Sequence, residues 1–323
     1  MMKAVIVGCG QIAGGYDRDS APQQILTHAK AFRAAENVEL VGAFDSDPNK
    51  LRNFCNDWGL GPPLRSLSET IEQLKPDIVS ICTPTPTHLS VVKELAKHTI
   101  RGVICEKPLA YNFNDAKKIT ETCKENDIYL LVNYHRRWDI ELNSIKKRIQ
   151  SGEFGKALHG RVLFTKGLIH NGSHFVNLFE SFFGPVKEKR PFSASPWQDG
   201  DNSVSFELLF QNGFRAVFQS CHPSPYQFNE IDLFFEHKRI EITKAGAEIH
   251  ETAIQTTGAV PVLASTKKTR EGTIHTAMLE VVQNMANTIS NGARLTMEAE
   301  EALSTLKLCI EINYLANNVL EEI

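Results

Sequence analysis

Three places in the chain carry residue types whose spacing permits chemistry. They are a glycine-rich turn after the first apolar run, the triplet Glu106-Lys107-Pro108, and two histidines four residues apart, His170 and His174. The turn reads Gly8-x-Gly10-x-x-Ala13, which is dinucleotide-binding spacing. Gly8 permits a tight turn off a strand, and Gly10 lets backbone approach a pyrophosphate. Ala13 is small enough for close helix–strand packing, with the phosphates on the helix N-terminus. Small residues at this spacing also occur in ordinary βα turns, so context decides. The apolar run Ala4-Val-Ile-Val7 precedes the turn, and a second run, 38–44, ends at Asp45. A carboxylate there suits both hydroxyls of an adenosine ribose.

Lys107 follows the apolar run 102–105, and Pro108 both disfavours the α region at Lys107 and gives their peptide bond a cis option. A lysine fixed at the carboxyl end of a strand can donate to a reacting hydroxyl or carbonyl oxygen. Without its context it reads as a solvated loop lysine. His170 and His174 share a face if one helix carries both. They read as a hydrogen-bonded structural pair, and as acid–base groups only once Lys107 and the dinucleotide turn are counted with them. No Glu follows the first histidine and no carboxylate ligand is apparent nearby, so no metal is expected.

The elements that must position these groups alternate through the first half. Asp47 caps a helix with Pro48 at its first position and Gly59 at its close. Ser66-x-x-Glu69 forms a capping box, Pro76 stops that helix, and 77–82 is a buried strand. Thr83-Pro84-Thr-Pro-Thr-His88 is stiff enough to line a cofactor groove, or simply stops the strand. A helix with Leu89, Val92 and Leu95 inward follows, then strand 102–105, helix 114–124 and strand 128–132. This alternation predicts a doubly wound parallel sheet. Between Ala13 and Asp45 lie more residues than the roughly 20 that usually separate such features. The polar stretch 14–22 accounts for the surplus as a loop inserted before a helix at 28–35, either near the ligand crevice or as a plain surface insertion.

Beyond 138 the texture changes. A helix with Leu142, Ile145 and Ile149 leads to alternating strands, with hairpins around Gln211-Asn-Gly213 and Glu236-His-Lys238. The run 175–182 has helical spacing, and two helices, 276–291 and 298–320, close the chain. Strands with helices on one face make an α+β domain, whose open sheet offers a face to a second subunit. The expected division is 1–125 for the dinucleotide-binding Rossmann domain and 126–323 for the α+β domain, to which the family resemblance given below assigns substrate binding and oligomerisation.

Composition narrows the function class. The formal net charge is −3 and no basic stripe appears, which argues against nucleic acid. Seven cysteines without CxxC pairing suit reduced thiols in a cytoplasm. No apolar run reaches the roughly 20 residues of a membrane span. The first strand begins too soon to leave room for a signal peptide.

In order along the chain, several features together resemble the glucose–fructose oxidoreductase / inositol dehydrogenase (Gfo/Idh/MocA) family. They are Gly8-x-Gly10-x-x-Ala13, Asp45, Thr83-Pro84 with His88, Glu106-Lys107-Pro108, Arg137 before Asp139, the helix around His174, and Glu298-Ala-Glu-Glu-Ala-Leu303. The resemblance implies reversible hydride transfer between a nicotinamide cofactor and a sugar-like substrate, by a homo-oligomer (dimer or tetramer) joined through the C-terminal sheet. It makes Lys107 the active-site lysine and His174 the catalytic histidine, with His170 as a second catalytic candidate. Cofactor contacts are expected from Gly8, Gly10, Gln11, Ile12, Ala13, Asp45, Thr83, Pro84, His88, Glu106 and Lys107. Substrate contacts are expected from Lys107, Asn133, Arg137, His170, Asn171 and His174. Many members read Asp-x-x-x-His-x-x-Asp where this chain has His170, His174 and Asn177, so both carboxylates are missing. Asp45 and Asp47 favour NAD over NADP, with Arg52 about one turn beyond. The competing reading from another class is a non-catalytic dinucleotide-binding sensor or regulator on the same scaffold, with a purely structural interaction protein a distant third.

Overall fold

A computed structural model describes residues 1–198, 200–221, 229–257 and 259–321. The chain forms two compact units. The first comprises 1–138 and 275–304, the second 139–274 and 305–323.

In the first unit β1 (Met2–Val7), β2 (Val38–Phe44), β3 (Ile78–Ile81), β4 (Gly102–Cys105) and β5 (Tyr129–Val132) form one sheet in the order β2-β1-β3-β4-β5. All four pairings are parallel. Strands β3 and β4 are buried along their whole length, which is why their sequences are almost wholly apolar, the exception being Ser80 of β3. The connecting helices are α1 (His28–Ala34), α2 (Pro48–Asp57), α3 (Leu67–Leu74), α4 (His88–Leu95) and α5 (Phe113–Glu125). All but α4 start at a side-chain cap: Asp47 accepts from the amides of Asn49 and Lys50, and Ser66 from Glu69. Glu69 completes a box by accepting from the amide of Arg65, one residue earlier than the usual partner.

The second unit begins with α6 (Ile140–Gln150) and continues through β6 (Ala157–Thr165), α7 (Ser173–Phe183), β7 (Val186–Gln198), β8 (Asp201–Phe210) and β9 (Arg215–Cys221). Then come β10 (Glu230–Phe235), β11 (Lys238–Thr243), β12 (Glu248–Thr257), β13 (Val260–Leu263) and β14 (Lys268–Glu271). They form a nine-stranded sheet in the order β13-β12-β11-β10-β6-β9-β8-β7, with β14 on β12. Every pairing is antiparallel except β6 with β9. Both expected hairpins are present, β8–β9 with Phe206 opposite Phe218 and β10–β11 with Ile231 opposite Ile242. The core is largely phenylalanine: Phe179 of α7 meets Phe218 edge-on at 5.1 Å, and Phe206 stacks on Phe218 at 4.7 Å.

The two closing helices are α8 (Ala277–Asn291) and α9 (Ala299–Glu321). The division expected at 125/126 differs from the observed units at both ends. Strand β5 is the edge of the parallel sheet, and α8 packs on that sheet rather than on the antiparallel one. Gly102 of β4 shows why, because a Cβ there would lie 2.5 Å from Met285 Sδ. Among the described residues no helix is long and apolar enough to cross a membrane.

Candidate active site

In the first unit the carboxyl ends of β1, β2 and β3 open onto a cavity of about 530 Å³, lined by Gly8, Gly10, Asp45, Thr83, Pro84 and Thr87 among others. Gly8 has φ +93°, and a Cβ there would lie 2.6 Å from Thr83 N and 2.7 Å from Cys82 C. Two βα turns touch at that point, so only glycine fits. Gly10 is the opposite case: a Cβ would meet nothing within 4 Å. Its missing side chain leaves an open cradle against the backbone, as a pyrophosphate requires. Asp45 ties the cradle to β2, accepting from Cys9 N at 2.7 Å and from Asp47 N at 2.8 Å. Each oxygen keeps lone-pair capacity for a hydroxyl donor. Cradle and carboxylate together fit a dinucleotide.

The surplus residues lie before α1, as expected. The amides of His28 and Ala29 donate to the carbonyls of Ile12 (3.2 Å) and Ala13 (2.8 Å), so helical bonding resumes across the loop. The phosphate-facing turn at 10–13 is therefore cut off from α1. The inserted loop is held by Asp17, which accepts from Ser20 Oγ (2.6 Å), Leu26 N (3.0 Å) and Thr27 Oγ1 (2.6 Å). Thr27 in turn caps α1.

Gln11 and Ile12 are not among the cavity's lining residues. Ala13 is fully buried, in its expected packing position. His88 is also buried, with Nδ1 3.1 Å from Leu109 O and Nε2 3.0 Å from Thr83 O. Burial lowers its pKa, against the upward pull of those carbonyls. His88 thus corrects the expectation of a cofactor contact: it braces the Thr83 turn from behind.

Next to this cavity's strands lies a cluster of charged groups. The Lys107–Pro108 peptide is cis. Glu106 Oε1 accepts from His28 Nε2 at 2.9 Å and Asn133 Nδ2 at 2.6 Å. Burial pushes the Glu106 carboxyl up. The hydrogen bond and charge of His28, the Asn133 amide and the Lys107 charge outweigh it and hold the carboxyl at about 2. His135, half-buried, is pushed down to about 3 by burial, helped by the positive charge of Arg136, Lys107 and His28 and opposed by Glu106. Arg137 is committed elsewhere: its guanidinium meets Glu301 at 2.8 Å and Thr296 O at 3.5 Å. Sequence reasoning missed His28 and His135. The only signal for His28 was its place at the head of a helix displaced by the inserted loop.

In the second unit, residues 168–172 form one wide turn, with Gly172 N donating to Gly167 O five residues back at 3.2 Å. Alpha-helical bonding starts only at Ser173. His170 therefore falls in this wide turn and His174 in α7, so no single α-helix carries both. His170 is exposed and its ring lies 4.9 Å from that of Trp197, whereas His174 is 5% exposed. A carboxylate does reach this turn, from β8: Asp201 accepts from the amides of Ile169 (2.9 Å) and His170 (2.8 Å). A Cβ at Gly167 would collide with it. Asn171 bonds Thr165 O and Asn229 Oδ1, both at 2.8 Å, and Asn177 bonds Thr305 Oγ1 at 2.9 Å. Both amides hold elements together. Among the described residues no three His, Cys, Asp or Glu side chains are grouped to hold a metal ion.

Residues 2–134 match the Gfo/Idh/MocA model, described as an oxidoreductase family with an NAD-binding Rossmann fold. D-apiose dehydrogenase of Rhizobium rhizogenes is 22% identical over 334 residues, covering 95% of this chain and 93% of that protein. Myo-inositol 2-dehydrogenase of Thermotoga maritima is 30% identical over 155 residues, 48% of this chain and 42% of that one. An oxidoreductase from Agrobacterium radiobacter, solved with NAD+, L-tartaric acid and magnesium, has the same fold. Its TM-score is 0.77 at 21% identity, over 98% of this chain and 96% of that one.

Proposed function

We propose, because this chain belongs to the Gfo/Idh/MocA oxidoreductase family, that it is an NAD-dependent dehydrogenase of a sugar, sugar derivative or nucleotide sugar. It acts at a secondary hydroxyl or the matching ketone. The observation that carries the reading is the open cradle at Gly10 in the same unit as Lys107, which follows directly on Glu106, a carboxylate held by His28 and Asn133. Bound NAD supplies the hydride acceptor. Gly8 and Gly10 provide the backbone that holds its phosphates, and Asp45 takes the ribose hydroxyls. Lys107 donates to the reacting oxygen and stabilises charge developing there. His174 takes the proton of the substrate hydroxyl. Two relatives named for apiose and inositol support a polyol substrate. Exposed Leu158 and Phe192, on β6 and β7, support a subunit contact through the open sheet. Seven free cysteines support a reducing cytoplasm.

The test is a panel of sugars and nucleotide sugars, assayed with NAD by nicotinamide absorbance. Turnover on at least one class supports the enzyme. Tight NADH binding with no turnover on any member would instead favour the non-catalytic sensor.

Preference for NAD over NADP rests on Asp45. Asp47 spends its carboxylate capping α2, and Lys50 rather than Arg52 lines the cavity. A 2′-phosphate would face the Asp45 carboxylate, so NADH is expected to bind at least ~10-fold tighter than NADPH, about 1.4 kcal/mol. Asp45→Ala should narrow that gap. Equal dissociation constants in the wild type would contradict the assignment.

A further inference from the structure

The carboxylate of Glu106 is unusually well held for a group standing next to a reactive lysine. Oε1 takes both the His28 and the Asn133 bond, while Oε2 lies 3.3 Å from the backbone nitrogen of Lys107. His28 has no exposed side-chain surface, and its other nitrogen lies 2.9 Å from Ser80 Oγ on β3. Residues just after β4 and β5 and the first residue of α1 therefore meet at one carboxyl group, while Ser80 of β3 holds the histidine. His28 is itself fixed from behind, because the Asp17 carboxylate, with no exposed surface, holds Thr27. The Glu106 side chain is only 12% exposed, and withdrawing a carboxylate this far from water costs free energy. A neutral glutamine of the same shape would tie the same elements together at lower cost, so the charge itself calls for a role.

We infer that His28 and Asn133 are positioning residues that lock the Glu106 carboxylate as the fixed counter-charge orienting Lys107 toward the reacting oxygen. The inference rests on the proposed role of Lys107. With Oε1 saturated by two donors, the carboxylate cannot rotate away from Lys107 without breaking both. Oε2 meanwhile accepts from the Lys107 backbone amide at 3.3 Å, so the same locked carboxylate also fixes the backbone that carries the ammonium. A preorganised charge of this kind acts on the transition state rather than on substrate binding.

The test compares Glu106→Gln, Lys107→Ala and the double variant, each in the full chain with NAD and a sugar substrate selected by the panel. Glutamine keeps the size and much of the hydrogen bonding but not the charge. The expected result is a fall in kcat of roughly 10²-fold, with KM for the sugar and Kd for NADH each within about threefold of wild type. In the Lys107→Ala background the same change should cost almost nothing further, because both act through one group. A merely structural Glu106 would leave kcat of Glu106→Gln near wild type, or would add its loss in full to that of Lys107→Ala. Either outcome overturns the positioning role while leaving Lys107 in place. Should Glu106→Gln fail to fold, Asn133→Ser removes one of the two Oε1 bonds without changing charge. It should lower kcat roughly tenfold at unchanged KM, and unchanged kcat would overturn the inference. An active Lys107→Ala, by contrast, overturns the reading of the lysine and the array with it.

Discussion

His174→Ala is expected to lower turnover by roughly 10²–10⁴-fold, the ordinary contribution of a positioned acid–base group, while NADH affinity stays nearly unchanged. Lys107→Ala should do the same through loss of charge stabilisation at the reacting oxygen. His170→Ala should be milder. The two histidines are not equivalent in the fold: the wide turn at 168–172 sends His170 to the surface beside Trp197, whereas His174 is buried at the start of α7. Steady-state kinetics on the three variants decides the matter. A dead His170→Ala with an active His174→Ala would exchange the roles. The Asp201 carboxylate on the amides of Ile169 and His170 would then become the group that orders the active turn.

The second large effect separates the two glycines of the dinucleotide turn, which the motif treats alike. Gly8→Ala places a methyl 2.6 Å from the backbone of Thr83 at φ +93°. Neither strain nor clash can relax without moving the β3 turn, so a loss of roughly 2–5 kcal/mol of stability is expected. Gly10→Ala meets no protein atom within 4 Å and needs no unusual backbone. Its melting temperature should match or slightly exceed wild type. NADH affinity should nevertheless fall tenfold or more, because the methyl fills the cradle. Thermal melts and NADH titrations on both variants check the pattern. Unimpaired NADH binding by Gly10→Ala would remove the cradle from the cofactor site.

Most of the fold was legible because its signals are local. Buried parallel strands read as unbroken apolar runs, and Asp47 and Ser66 cap helices through side chains only a few residues away. Gly102 and Met285 lie 183 residues apart, and no periodicity links them, so nothing local reveals that α8 belongs to the first unit. The same limit governs the site. Gly8, Gly10, Asp45 and Lys107 announce themselves by spacing, whereas His28 joins Glu106 only because an inserted loop folds away and lets helical bonding resume. His88, part of the same ordered motif, proved to brace the Thr83 turn, since motif position does not reveal which way a ring points. His170 and His174 differ in exposure although only four residues separate them, because the first falls in the wide turn and the second in α7, a break that no local signal marks.

The central claim, hydride transfer to and from a sugar carbon, is tested most directly with isotope. NADH carrying deuterium at the transferable position of its nicotinamide ring is incubated with the protein and a panel of keto-sugars and keto-nucleotide-sugars, and the products are weighed by mass spectrometry. The account predicts that one class of product gains a single deuterium on the carbon that was the ketone, and that the label is lost from Lys107→Ala incubations. Bound NADH with no labelled sugar from any member of the panel would contradict it.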